Sequence, residues 1–282
     1  MGLRRLFFCG VICAVLGAPS TAAAEAIIFS NLAVDGRMAA ASRPTTPGVI
    51  GIEAADDFLL NRQTSITGIS FIGLVADLAA LDLANINLEI YRVFPLDSSD
   101  PPSGAVPTRA NSPSDVALAE RSFADFASLS VSLLSPSFTA LNSVLNGINP
   151  KPNQTTQGEG SVTGEEVQFD VHLSSPLVLP AGHYFFVPQV PTTSDQFYWL
   201  SASRPIVPPG TPFLPDLQAW IRNDILDPNW LRVGTDIVGG NPAPTFNMAF
   251  ELSGTVPEPG TIVLLGAGIV AVARRVRRRE RA

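Results

Sequence analysis

Carboxylates, histidines and aromatic rings are the side chains of this sequence with chemistry to offer. Asp170 and His172 are two residues apart, so on a strand they project to one face and could share a metal. The solvated outer face of a sheet has the same pattern and is the preferred reading. His183 follows Ala181-Gly182 at the start of a strand-like run and reads as structural. Asp56 and Asp57 are adjacent and point opposite ways on a strand, and Asp97 and Asp100 form a second acidic pair in a loop. Either pair would hold calcium only with added loop carbonyls, and neither has the EF-hand spacing, so turn or capping roles are preferred. Glycoside hydrolysis needs two carboxylates at a defined separation, and 23 acids lie between Glu25 and Val256 with nothing to single out a pair. Ser161 sits among glycines, but Gly160-Ser161-Val162-Thr163-Gly164 lacks the nucleophile-elbow spacing. Gly158, Gly160 and Gly164 miss the dinucleotide-binding spacing by one residue. No catalytic residue, metal or cofactor is expected. The aromatic side chains Tyr198, Trp199, Trp220 and Trp230 are candidate ligand contacts, because flat rings with polar edges stack on sugars; the competing role is core filling.

These residues fall on short segments with period-two alternation, the mark of half-buried strands. Val167, Phe169, Val171 and Leu173 alternate with Glu166, Gln168, Asp170 and His172. Phe246 to Leu252, Asn85 to Ile90 and Leu129 to Leu133 alternate similarly. Residues 65–75 and 183–189 are apolar on both faces and read as central strands. Residues 97–104 and 149–164 are polar and turn-rich, and Ser137 to Asn146 is expected as a short helix between them. With 25 prolines, 22 glycines and no long amphipathic helix before Thr261, the pattern predicts an all-β fold, an antiparallel, jelly-roll-like β-sandwich over residues 25–255.

Charge divides the chain. Between Glu25 and Val256 there are 10 basic and 23 acidic residues, a net charge near −13. Such a body repels nucleic acid and anionic lipid. Both cysteines, Cys9 and Cys13, lie in the N-terminal apolar run, so a chain that loses this run has no disulfide and no thiolate.

The two ends read as processing segments. Arg4 and Arg5, the apolar run Leu6 to Leu16 and the small residues Ala22-Ala23-Ala24 have the three-part form of a secretory signal peptide over residues 1–24, with cleavage after Ala24, or alternatively after Ala26. Residues 256–282 begin Val256-Pro257-Glu258-Pro259-Gly260. The 13 residues from Thr261 to Ala273 carry no charge, and a cluster containing Arg274, Arg275, Arg277, Arg278 and Arg279 follows. As a helix the apolar stretch covers about 20 Å of a hydrocarbon core about 30 Å thick. Arginines that snorkel to the headgroups extend that span and fix the cytoplasmic side. The prolines keep the acidic motif extended and accessible.

Val-Pro-Glu-Pro, a glycine-containing apolar helix and a terminal arginine cluster, in this order, resemble the PEP-CTERM sorting signal of many Gram-negative bacteria. The resemblance implies recognition of Pro257, Glu258 and Pro259 by exosortase, a membrane-embedded cysteine protease or transpeptidase, and an association with exopolysaccharide and biofilm. It also implies a C-terminal transmembrane helix that holds the body outside the inner membrane, before transfer to the cell surface or extracellular matrix. More loosely, Ala55-Asp56-Asp57-Phe58, Leu179-Pro180-Ala181-Gly182-His183-Tyr184 and Met248 to Gly254 resemble the extracellular part of other PEP-CTERM proteins. The expected function is therefore that of an exported, non-catalytic surface protein that binds glycan. The alternatives are an extracellular carbohydrate-active enzyme and a structural matrix protein with no specific ligand.

Overall fold

The alternating segments fold as strands because each has one apolar face to bury. The computed structural model describes residues 25–99, 104–148, 154–193, 196–203 and 217–256. Their strands are β1 (Ala26–Ser30), β2 (Val34–Ala41), β3 (Ile52–Leu60), β4 (Thr64–Val75), β5 (Asn87–Arg92), β6 (Ala119–Ser122), β7 (Phe126–Ala140) and β8 (Ser143–Val144). They continue with β9 (Val162–Leu179), β10 (Gly182–Gln189), β11 (Tyr198–Ala202), β12 (Trp220–Asn223), β13 (Leu231–Arg232), β14 (Asn247–Met248) and β15 (Phe250–Thr255). One sheet has the order β13-β12-β3-β10-β5-β6. The other runs β1-β15-β4-β11-β2-β8, with β9 on the far edge of β4, β7 outside β9, and β14 against β11.

The sheets face each other across a core that draws Phe58, Leu88 and Phe186 from the first and Phe29, Phe71, Phe169, Trp199 and Phe250 from the second. This is the layered β-sandwich expected from the pattern. Across the core, Phe186 meets Trp199 edge-on at 5.6 Å, and within the larger sheet Phe71 stacks on Phe169 at 4.6 Å.

β4 and β10 are apolar on both faces because each is sandwiched between two clusters. Phe71 of β4 points into the main core, while Ile72 and Leu74 point outward into a smaller cluster with Ala39, Leu200, Ala140 and Phe138. Phe186 of β10 points inward, while Phe185 and Val187 point outward under Trp220 and Trp230. Gly73 has no side chain because the ring of Phe197 lies where its Cβ would stand.

Two expectations are corrected. Ser137 to Asn146 is not a helix: β7 continues to Ala140, because Phe138 and Ala140 complete the small outer cluster, and the chain then forms β8. The sandwich is also not wholly antiparallel, since β8 lies parallel to β2 through Ala39↔Ser143 and Ala40↔Val144.

Candidate functional site

The three tryptophans are core residues, which corrects their assignment as ligand contacts. Trp199 is fully buried between Phe186 and Phe250, and its Nε1 donates to Ala249 O at 2.9 Å. Trp230 is fully buried too; its Nε1 donates to Ser114 O at 3.1 Å, Tyr91 meets it edge-on, and Arg222 lies 4.3 Å above its ring. Trp220 is 2% exposed and lies under Arg232. A ring whose faces are taken by protein cannot stack on a sugar. Tyr198, at the start of β11, is half-buried and stays at the surface, close enough to Arg43 to favour the charge on its guanidinium.

Arg43 stands at the base of the hairpin that links β2 to β3, held by a two-way backbone pair with Ile52 and by its own Nε donating to Ile50 O at 3.2 Å. Burial lowers its proton affinity, and Tyr198 and Asp224 oppose this. Arg43 lines a cleft of about 260 Å³ with Pro44, Thr46, Val49, Pro191, Thr192, Thr193 and Gln196. That is a little under the lower end of ordinary small-ligand pockets, about 300 Å³. Two buried polar atoms of the lining, Arg43 Nη1 and Gln196 Oε1, have no partner among the described residues. One is a donor and the other an acceptor.

A second polar cluster lies on the outer face of the smaller sheet. Glu89 and Tyr91 are i, i+2 on β5, and Glu53 and Arg222 are cross-strand partners on β3 and β12. Tyr91 Oη is 2.9 Å from Glu89 Oε2 and 3.3 Å from Glu53 Oε2. Arg222 gives Nε to Glu53 at 2.6 Å, Nη2 to Tyr91 Oη at 3.1 Å, and Nη1 to Asp115 O at 3.1 Å and to Asp227 at 2.6 Å. Burial, and then the charge of Glu53, push the Glu89 carboxyl up to about 7. An acid–base pair requires two neighbouring carboxylates, one of them with a raised proton affinity. Glu89 and Glu53 converge on a phenol, however. The adjacent cavity of about 170 Å³ is lined by Glu53, Arg222, Asn223, Asp224 and Asp227, and Glu89 is not part of its wall.

The other candidates are occupied by protein. Asp56 points into the sandwich, where its Oδ2 accepts the Met248 N–H at 2.7 Å, while Asp57 points outward and pairs with His183 Nε2 at 2.5 Å. Asp170 shares the outer face of β9 with His172 and accepts from Ser70 Oγ at 2.7 Å and Gln168 Nε2 at 2.8 Å. Asp97 pairs with Arg92, and Asp100 lies outside the described residues. Among the described residues no three His, Cys, Asp or Glu side chains gather as metal ligands.

The ends of the body lie together. β1 pairs with β15 through Ala26↔Gly254, and the Glu25 carboxylate accepts from Thr67 Oγ1 at 2.6 Å and Ser253 Oγ at 2.8 Å. These bonds hold Glu25 below the usual carboxylate range. The chain thus enters and leaves the sandwich side by side, and Val256 is the last residue described. Residues 255–279 match the family model described as the PEP-CTERM protein-sorting motif. The chain carries a PEP-CTERM sorting motif. The matched span contains Val256, Pro257, Glu258 and Pro259, and the arginines from Arg274 to Arg279. No curated protein matches the chain. A PEP-CTERM motif implies export, processing by exosortase and sorting to the surface. Among the described residues no helix is long and apolar enough to cross a membrane; the PEP-CTERM apolar stretch, the arginines, Pro257 to Pro259 and residues 1–24, expected as a signal peptide, lie outside them.

Proposed function

We propose that the body is a non-catalytic surface module that binds neutral glycan of the exopolysaccharide layer through the Arg43–Gln196 cleft. The observation that carries this reading is the pair of complementary polar atoms, Arg43 Nη1 and Gln196 Oε1, on two residues that line one cleft and without partners among the described residues. Threonine hydroxyls and proline rings complete a wall that suits a sugar ring, with polar groups for its hydroxyls and apolar surface for its C–H faces. A net charge near −13 favours a neutral chain over a polyanionic one. The PEP-CTERM motif delivers the module to the place where such glycans lie.

The second reading, an extracellular carbohydrate-active enzyme, has Glu53 and Glu89 in its favour. It needs both carboxylates in one cavity, and the cavity of about 170 Å³ beside them has Glu53 but not Glu89 in its wall. The test is binding of the mature protein to the host's own exopolysaccharide, with polymer length followed in the same tube. Saturable binding that Arg43→Met abolishes, with the polymer intact, is the expected result. Depolymerisation that Glu53→Gln abolishes would support the enzyme. Neither binding nor breakdown would leave the structural matrix reading.

A further inference from the structure

We propose that β7 is a docking edge for a second copy of this chain, joined antiparallel about a two-fold axis near Ser130. β7 is 15 residues long and has one strand partner, β9, among the described residues. No other strand among the described residues pairs with its far edge, and the backbone donors and acceptors of an open edge template the addition of another strand. Natural sheets blunt such edges by shortness or charge, and the rest of this molecule follows that rule. The outer strands β8 and β13 have two residues each, β1 has five, and β6 has four including Glu120 and Arg121.

β7 is the exception. No charged residue lies between Asp125 and Lys151. In a body with a net charge near −13, this is the stretch where two copies approach without opposing like charges. Exposed apolar side chains also collect here: Phe123, Leu133, Leu134 and Leu141 are 46%, 47%, 47% and 72% exposed. The pattern is self-complementary as well. Ser128, Ser130 and Ser132 line the outer face, while Leu129 and Val131 pack toward the core. About a two-fold axis at Ser130, Ser128 of one copy opposes Ser132 of the other, so hydroxyls meet hydroxyls and Leu129 meets Val131. Bulges between Phe126 and Ser128 and around Ser135 bound the straight segment, confining the paired stretch to Ser128 to Leu133. This inference stands apart from glycan binding, since the lining of the Arg43 cleft shares no residue with β7.

The mature protein, freed of Cys9 and Cys13 with its leader, has no cysteine, which makes a single introduced thiol informative. Residues directly opposite in an antiparallel pair have Cα atoms about 4.5–5.5 Å apart, within disulfide reach. Ser128→Cys, Ser130→Cys and Ser132→Cys are compared under mild oxidation with Ser161→Cys, an exposed loop control. The expected result is a covalent dimer at Ser130→Cys, weak or no linkage two residues to either side, and none at Ser161→Cys. Sedimentation of the unmodified mature protein should show the mass doubling as concentration rises. Ser130→Lys, which sets two like charges opposite each other while each stays solvated in the single copy, should return it to one copy with an unchanged Tm. A single copy at every concentration with no linkage at any β7 position would overturn the proposal. So would a dimer that survives Ser130→Lys, or β7 thiols on the cell surface linked to a protein of different mass.

Discussion

Two arginines on this sandwich, Arg222 and Arg43, meet opposite fates. Arg222 lies over the Trp230 ring with its donors taken by Glu53, Asp227, Tyr91 and a backbone carbonyl. Arg43 is tied by its Nε, while its buried Nη1, like the Oε1 of Gln196 in the same cleft lining, has no partner among the described residues. A network that closes on itself holds structure together, because every buried polar atom is paired within the protein. A pair of complementary atoms left open in a cleft has capacity for something else. A raised proton affinity alone does not mark a site: Glu89 has one, and it belongs to the closed network.

If Arg222 is structural, Arg222→Met should lower stability by about 3–5 kcal/mol, because Glu53 loses its main counter-charge in a partly buried setting. Denaturant unfolding measures this, and a loss below about 1 kcal/mol would remove the contrast between the two arginines. The next largest effect belongs to Glu89. Its folded value of about 7 lies above its ordinary 4.5. Between those values the folded state keeps a proton that the unfolded state has lost, so stability falls as pH rises through this window and is flat above it. Glu89→Gln removes that fall. The variant should match the parent near pH 4 and exceed it at pH 8 by on the order of 3 kcal/mol at most. Equal pH profiles for the two proteins would mean that Glu89 is not buried as described. The smallest stability effect is at Arg43. Arg43→Met should change stability by less than about 1 kcal/mol and weaken glycan binding at least about tenfold, as loss of a charged hydrogen bond does. A large stability loss with unchanged binding would reverse the two roles.

The strand-rich fold was legible because alternation reports burial directly: Val167, Phe169, Val171 and Leu173 are buried and His172 is exposed. Alternation does not tell which of two apolar surfaces a residue meets. Trp199 and Trp220 therefore looked like ligand contacts, when one fills the main core and the other a cluster on the outer face of the smaller sheet. Ser137 to Asn146 looked helical for a related reason, since the partners that hold Phe138 and Ala140 in a strand come from β2, β4 and β11. Of the Arg222 network, the i, i+2 placement of Glu89 with Tyr91 and of Trp220 with Arg222 was visible, but their meeting across β3 and β10 depends on strand order. The Arg43 cleft had no local signal, because Arg43 and Gln196 are separated by most of the chain. The sorting motif was legible because it is a contiguous run of residues, matched over 255–279.

The central claim is that this sandwich is exported and processed at both ends, and intact-mass spectrometry of the protein recovered from the host's surface material tests it most directly. The predicted species begins at Glu25, the residue bonded to Thr67 and Ser253, and lacks Arg274 to Ala282. Recovery of a surface protein that retains the arginine cluster, or that still carries the N-terminal apolar run Leu6 to Leu16, would contradict it.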